Sequence, residues 1–174
     1  MLTVEVKIMT LRSLFGALAA AFAAGCASPT IPAVEELDLA RYMGTWYEVA
    51  RTPNWFEDGM DRVSADYALR PDGTVSVKNS GEKNGEIRSV TGTARRKKGG
   101  RPGELEVSFL RPFYGDYRIV MLDPEYRFAA VAGSGGKCWI LSRTPTLPEN
   151  TLNGILSFFT THGIPKERFL FPKP

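Results

Sequence analysis

Histidine is almost missing from this chain. His162 is the only one among 174 residues, and Cys26 and Cys138 are the only cysteines. Two cysteines cannot build a disulfide scaffold, and one histidine leaves no Cys/His cluster at metal-ligand spacing. HExxH, G-x-S-x-G and the Walker loop are all absent from the sequence. "GSGGK" at 133–137 lacks the strand–loop–helix setting of a phosphate loop and reads as a hairpin turn. No enzyme, metal or cofactor is expected on these grounds. Strong charge is missing too. The formal balance is +3, and losing Lys7, Arg12 and Glu5 with the leader described below leaves +2. That is too little for a nucleic-acid binder with a basic face. Neither an internal repeat nor a low-complexity tract is visible.

What the chain does have begins with a leader. Lys7 and Arg12 precede the run "LFGALAAAFAAGC", which has signal-peptide length and falls short of a membrane span of about 20 residues. Glu5 is out of place there, and Met9 offers an alternative start. "AAGC" at 23–26 resembles the lipobox of bacterial lipoproteins, although Ala23 stands where that pattern prefers leucine. The resemblance implies a leader over residues 1–25 and lipidation of Cys26. Acyl chains anchor through about 0.8 kcal/mol per buried CH₂. Ala27, rather than Asp, implies sorting to the outer membrane. Residues 26–38, with two prolines and no periodicity, read as a flexible tether.

From residue 39 to 174 the pattern is that of one domain. "TWYEVAR", "RVSADYALR", "TVSVKNSGE", "IRSVTGTARR", "ELEVSFL", "DYRIVMLD", "RFAAVAG" and "KCWILSR" are short alternating runs divided by turn signals such as "PDG" and "NG". Eight strands joined by hairpin-length connections predict an all-β, antiparallel up-and-down barrel, because closure removes exposed edges. In "TLPENTLNGILSFFTTHG" the apolar residues Leu152, Ile155, Leu156 and Phe159 form one helical stripe. Such a helix must lie on the outside of the barrel. Thr146 and Glu149 read as its capping box, His162 as a cap at its far end, and 168–172 as a last short strand.

Gly44, Thr45 and Trp46 at the entrance, "LDPEY" at 122–126 and "ILSRTP" at 140–145 resemble the three signature regions of the lipocalin family, in order. "FLRPFYGDYRIVMLD" and "WILSRTPTL" look closest to the lipocalins that are bacterial outer-membrane lipoproteins. The resemblance implies a calyx closed at one end by Arg143 stacked on Trp46, a structural pair. With Arg143 fixed inward, alternation points Glu48, Ala50, Ala65, Tyr67, Leu105, Val107, Phe109, Tyr117, Ile119, Met121, Trp139 and Leu141 into the barrel. Of these, Glu48, Ala50, Tyr67, Val107, Phe109, Tyr117, Ile119 and Trp139 are the expected ligand-binding set. Trp55, Phe56, Arg111, Phe113 and Tyr114 are expected at the mouth. Cys138 should point outward, and the basic tip 95–101 should lie at the closed end.

The function expected is that of a membrane-anchored binding module carrying a fatty acid or lysophospholipid on the periplasmic side of the outer membrane. A homodimer is left open. The alternatives are a carrier of haem or another hydrophobic small molecule, and a lipocalin-fold enzyme using Glu48 as its acid–base group.

Overall fold

The computed structural model describes residues 30–174; Cys26 and the leader lie outside them. Eight strands follow a four-residue helix, α1 (Leu39–Tyr42): β1 (Gly44–Arg51), β2 (Asp61–Leu69), β3 (Val75–Lys83), β4 (Glu86–Arg96), β5 (Glu104–Leu110), β6 (Phe113–Leu122), β7 (Phe128–Gly133) and β8 (Cys138–Ser142). Each is antiparallel to its neighbours in sequence, and β8 pairs back onto β1 to close the barrel. Turn chemistry sets the register. Asn84 and Gly85 both take positive φ, the two-residue geometry whose twist matches the flanking strands β3 and β4.

Helix α2 (Glu149–Thr161) lies outside the barrel, burying Ile155, Leu156 and Phe159 against Val120, Ala130, Ala132 and Ile140. Pro148 occupies its N-cap without a side-chain hydrogen bond, so the expected Thr146–Glu149 box does not form. Thr144 Oγ1 instead donates to the Thr146 carbonyl. At the other end, the His162 ring nitrogen lies 2.8 Å from the Phe158 carbonyl. The C-terminal stretch makes one bridge, Arg51 with Leu170, rather than a strand.

Two β-bulges correct the inward set. The register shifts between Glu48 and Ala50 on β1, and again between Ile119 and Met121 on β6. Each places consecutive residues, Val49–Ala50 and Val120–Met121, on the outer face with the α2 cluster. An extra residue in one strand reverses alternation beyond it. Ala50 and Met121 are therefore packed under α2 and not in the calyx, and Arg51 turns inward.

The segment read as a tether is also partly folded. Ile31 packs in the α2 cluster, and Leu37 joins the core at the barrel base. The Val34 N–H donates to the Ile119 carbonyl, and its own carbonyl accepts from Gly103. Residues 31–37 thus strap the outside of the barrel.

Candidate functional site

Residues at the closed end form a stack. Asp38 caps α1, its carboxylate accepting from the Ala40 and Arg41 N–H groups. This short turn ends at Tyr42, four residues ahead of Trp46 in β1. The indole N–H donates to the Tyr42 carbonyl at 2.8 Å, and the two rings lie 4.8 Å apart. Arg143 covers the other face, its guanidinium carbon 3.9 Å from the indole centroid. Arg143 Nη1 donates to the Thr45 carbonyl, and Nη2 donates to those of Arg41 and Met43. Gly44 sits beneath with φ of +90°, and a Cβ there would stand 3.5 Å from Arg143 Nη1. The opening glycine of G-x-W is explained by its left-handed backbone under this clamp.

Above the stack is a cavity of about 120 Å³, room for on the order of ten waters. Its floor is a tyrosine triad. Tyr117 Oη lies 2.9 Å from Tyr42 Oη and 3.1 Å from Tyr67 Oη. Burial pushes all three phenols up, Tyr67 to about 12, so they serve as neutral hydrogen-bonding groups. The walls are Leu39, Met43, Val63, Val75, Val77, Ala94, Leu105, Val107, Phe109 and Leu141. Asn79 also lines the cavity, its buried Oδ1 without a hydrogen-bond partner.

Near the mouth the β1 bulge has its consequence. Arg51, 4% exposed, ties its own strand to the β1–β2 loop; its Nη1 donates to Glu48 Oε1 at 2.5 Å, and its Nη2 donates to the Glu57 and Met60 carbonyls. Glu57 Oε2 in turn accepts from Trp139 Nε1 at 3.0 Å and Asn54 Nδ2 at 2.6 Å. The β1–β2 loop is thereby folded over part of the opening, with Phe56 against the cavity. Burial and the neighbouring Glu57 carboxylate push Glu48 up to about 8, against the pull of Arg51.

Of the expected ligand-binding set, Glu48, Tyr67, Val107, Phe109, Tyr117 and Trp139 line this cavity; Ala50 and Ile119 do not. Ala50 is displaced by the bulge, and Ile119 is sealed in the base core. Of the mouth set, only Phe56 reaches the cavity wall. Trp55 and Phe113 stand exposed on the rim, and Arg111 Nη2 reaches Thr93 Oγ1 at 3.5 Å. Tyr114 lies under the Arg95 guanidinium, at 3.9 Å. Tyr42, Arg51, Glu57 and Asn79 were not in the expected set. Tyr42 alone carries a signal, its spacing of four from Trp46; Glu57 lies in a loop without periodicity. Cys138 is buried between barrel and helix, its thiol pushed up to about 11 by that burial. Among the described residues no three or more His, Cys, Asp or Glu cluster as metal ligands.

A family model for the lipocalin-like domain matches residues 37–174. The chain belongs to the lipocalin family. It is 40% identical to the outer membrane lipoprotein Blc of Escherichia coli (strain K12) over 171 residues, covering 94% of this chain and 97% of that protein. Apolipoprotein D of Mus musculus is 31% identical, with 82% and 79% covered. Among solved structures, insecticyanin from the tobacco hornworm Manduca sexta superposes with a TM-score of 0.70 at 20% identity, covering 84% of this chain and 85% of that one. At that identity the likeness shows the fold alone, an antiparallel β-barrel with a C-terminal helix. Lipocalins are in general binding proteins rather than enzymes.

Proposed function

We propose that this lipocalin carries a single-chain amphiphile, a fatty acid or lysophospholipid, with its acyl chain in the calyx. In this reading the protein is anchored through Cys26 to the outer membrane and faces the periplasm. The observation that carries the reading is the cavity itself, apolar along most of its walls and polar at the tyrosine floor, Ser64, Asn79 and the Glu48–Glu57 side. Its small volume favours one chain over two. One buried chain stabilises the complex by several kcal/mol, at about 25 cal/mol per Å², before ordering costs. The apolar walls disfavour an anionic group deep in the barrel, so a carboxylate or phosphate stays at the rim near Arg111. Asn79 is placed to meet a glycerol hydroxyl. The similarity to outer membrane lipoproteins supports the location.

Trp139 lines the cavity and reports its filling. Lysophospholipids and free fatty acids are expected to change its emission saturably at micromolar or lower concentration, with diacyl phospholipids binding far more weakly. Equal affinity for both classes would refute the single-chain reading. A fatty-acid label incorporated in cells by the wild type and not by Cys26→Ala would support the anchor.

A further inference from the structure

We infer that the open end of the barrel seats on the surface of a lipid bilayer, so that the calyx opens into the headgroup layer rather than into water. This rests on the lipid-carrier reading above and adds an orientation to it.

The first observation is where apolar surface is left exposed. Trp55, Ile87, Leu110 and Phe113 are 85%, 82%, 72% and 72% exposed. They stand in or directly beside three different connections at the mouth: Trp55 in the β1–β2 loop, Ile87 at the β3–β4 turn, and Leu110 and Phe113 at the strand ends that flank the β5–β6 turn. Exposed apolar groups concentrated on one end mark an interaction surface. Because they project singly from separate turns around an opening, they match a flat partner better than a contiguous protein patch. Basic side chains stand among them. Among the described residues Lys83, Arg111 and Lys137, all on mouth connections, form no ion pair with a carboxylate. Aromatic and aliphatic tips with cations that no carboxylate neutralises between them suit a headgroup layer with anionic phosphates.

The second observation is where the chain leaves the fold. Thr30 and Ile31 line a groove with Ser134–Gly136, the mouth-side turn between β7 and β8. Because 31–37 are packed down, only residues 27–29 separate Cys26 from Thr30. Four Cα-to-Cα steps span at most about 14 Å. A lipid on Cys26 therefore holds the membrane close to the mouth, not to the Trp46–Arg143 end.

The third is a short ladder in the wall. The β4–β5 ladder runs only from Thr93–Ser108 to Arg96–Leu105. Nearer the mouth, Glu86–Gly92 is unpaired with β5, and the Phe109 ring packs against Gly92 in place of a ladder, with Val90 and Phe109 47% and 40% exposed. With the mouth on the bilayer, displacing the Phe109 side chain would let an acyl chain pass from bilayer to calyx without crossing water.

The test uses the full chain, lipidated and reconstituted in vesicles of phosphatidylethanolamine and phosphatidylglycerol with bromine on the acyl chains. The Trp55 emission is isolated by subtracting the Trp55→Phe spectrum, which removes the contributions of Trp46 and Trp139. We expect that component to fall at least about twofold relative to unbrominated vesicles, and to recover in Ile87→Asp/Leu110→Asp, which lifts the rim. Lysophospholipid binding by this double variant, read at Trp139, should be unchanged. Trp55 emission indifferent to bromine while lysophospholipid still fills the calyx would overturn the orientation and leave the carrier reading intact. Failure of lysophospholipid to bind the wild type would strike the carrier reading, with the Trp55 comparison still deciding the orientation. Concentration-dependent dimers in vesicle-free solution that bury Trp55 and dissolve in the double variant would assign the rim to a second copy instead.

Discussion

Arg143 and Arg51 bracket the barrel, one guanidinium at each end, and their surroundings give them different work. Arg143 is partly open to solvent, lies flat on Trp46 and spends its donors on backbone carbonyls of the entrance segment. A planar cation suits that position, because it stacks and donates at once. Arg51 is buried and holds both a carboxylate and the backbone of the loop above it. We expect Arg143→Ala to lose about 1–3 kcal/mol in denaturant unfolding, from the lost stack and the uncovered carbonyls. The folded fraction should keep its lysophospholipid affinity, since Arg143 does not line the cavity. A large affinity loss at unchanged melting temperature would contradict the structural role.

At the scale of elements, α2 decides which strands alternate. β7 is buried at five consecutive positions, Ala129–Gly133, since its inner face meets the base core and its outer face meets the helix. The two bulges, on β1 and β6, lie under the same helix and turn small or flexible side chains outward to receive it. Phe159 is the centre of that contact, fully buried and 5.1 Å from the Phe169 ring. Phe159→Ala should cost about 3–5 kcal/mol by leaving a cavity between helix and barrel. The loss should appear in chemical unfolding as a lower midpoint with an unchanged slope. A cost below 1 kcal/mol, roughly that of a surface change, would mean α2 adds little to the barrel.

For the whole molecule, the buried mouth network makes stability depend on pH. Glu48 has an ordinary value of 4.5 and is pushed to about 8 in the fold. The folded chain therefore holds this proton through a range in which the unfolded chain has released it. Stability from this group is greatest at low pH and declines as pH rises from about 4.5 to about 8. Melting temperatures measured across that window should fall with pH, and the slope should flatten in Glu48→Gln. An unchanged slope would place the proton elsewhere. Because ionised Glu48 is opposed by the Glu57 carboxylate of the β1–β2 loop, the same titration should strain the mouth as well as the barrel.

How much of this was legible in the amino-acid order differs by feature. Alternation, turn residues and the single apolar stripe determined eight strands, their inward sides near the base and one external helix, because these follow from neighbours a few residues apart. Bulges have no local signature. Whether β1 continues its alternation past Glu48 depends on a helix 100 residues later, so Ala50 and Met121 turned outward for reasons the strands do not carry. The strap at 31–37 reads as linker because its apolar residues lack a period; its partners are Gly103, Ile119 and the α2 cluster. Glu57 reached Trp139 only when the barrel closed. Local chemistry determined the calyx, and closure decided which charges stand in its mouth.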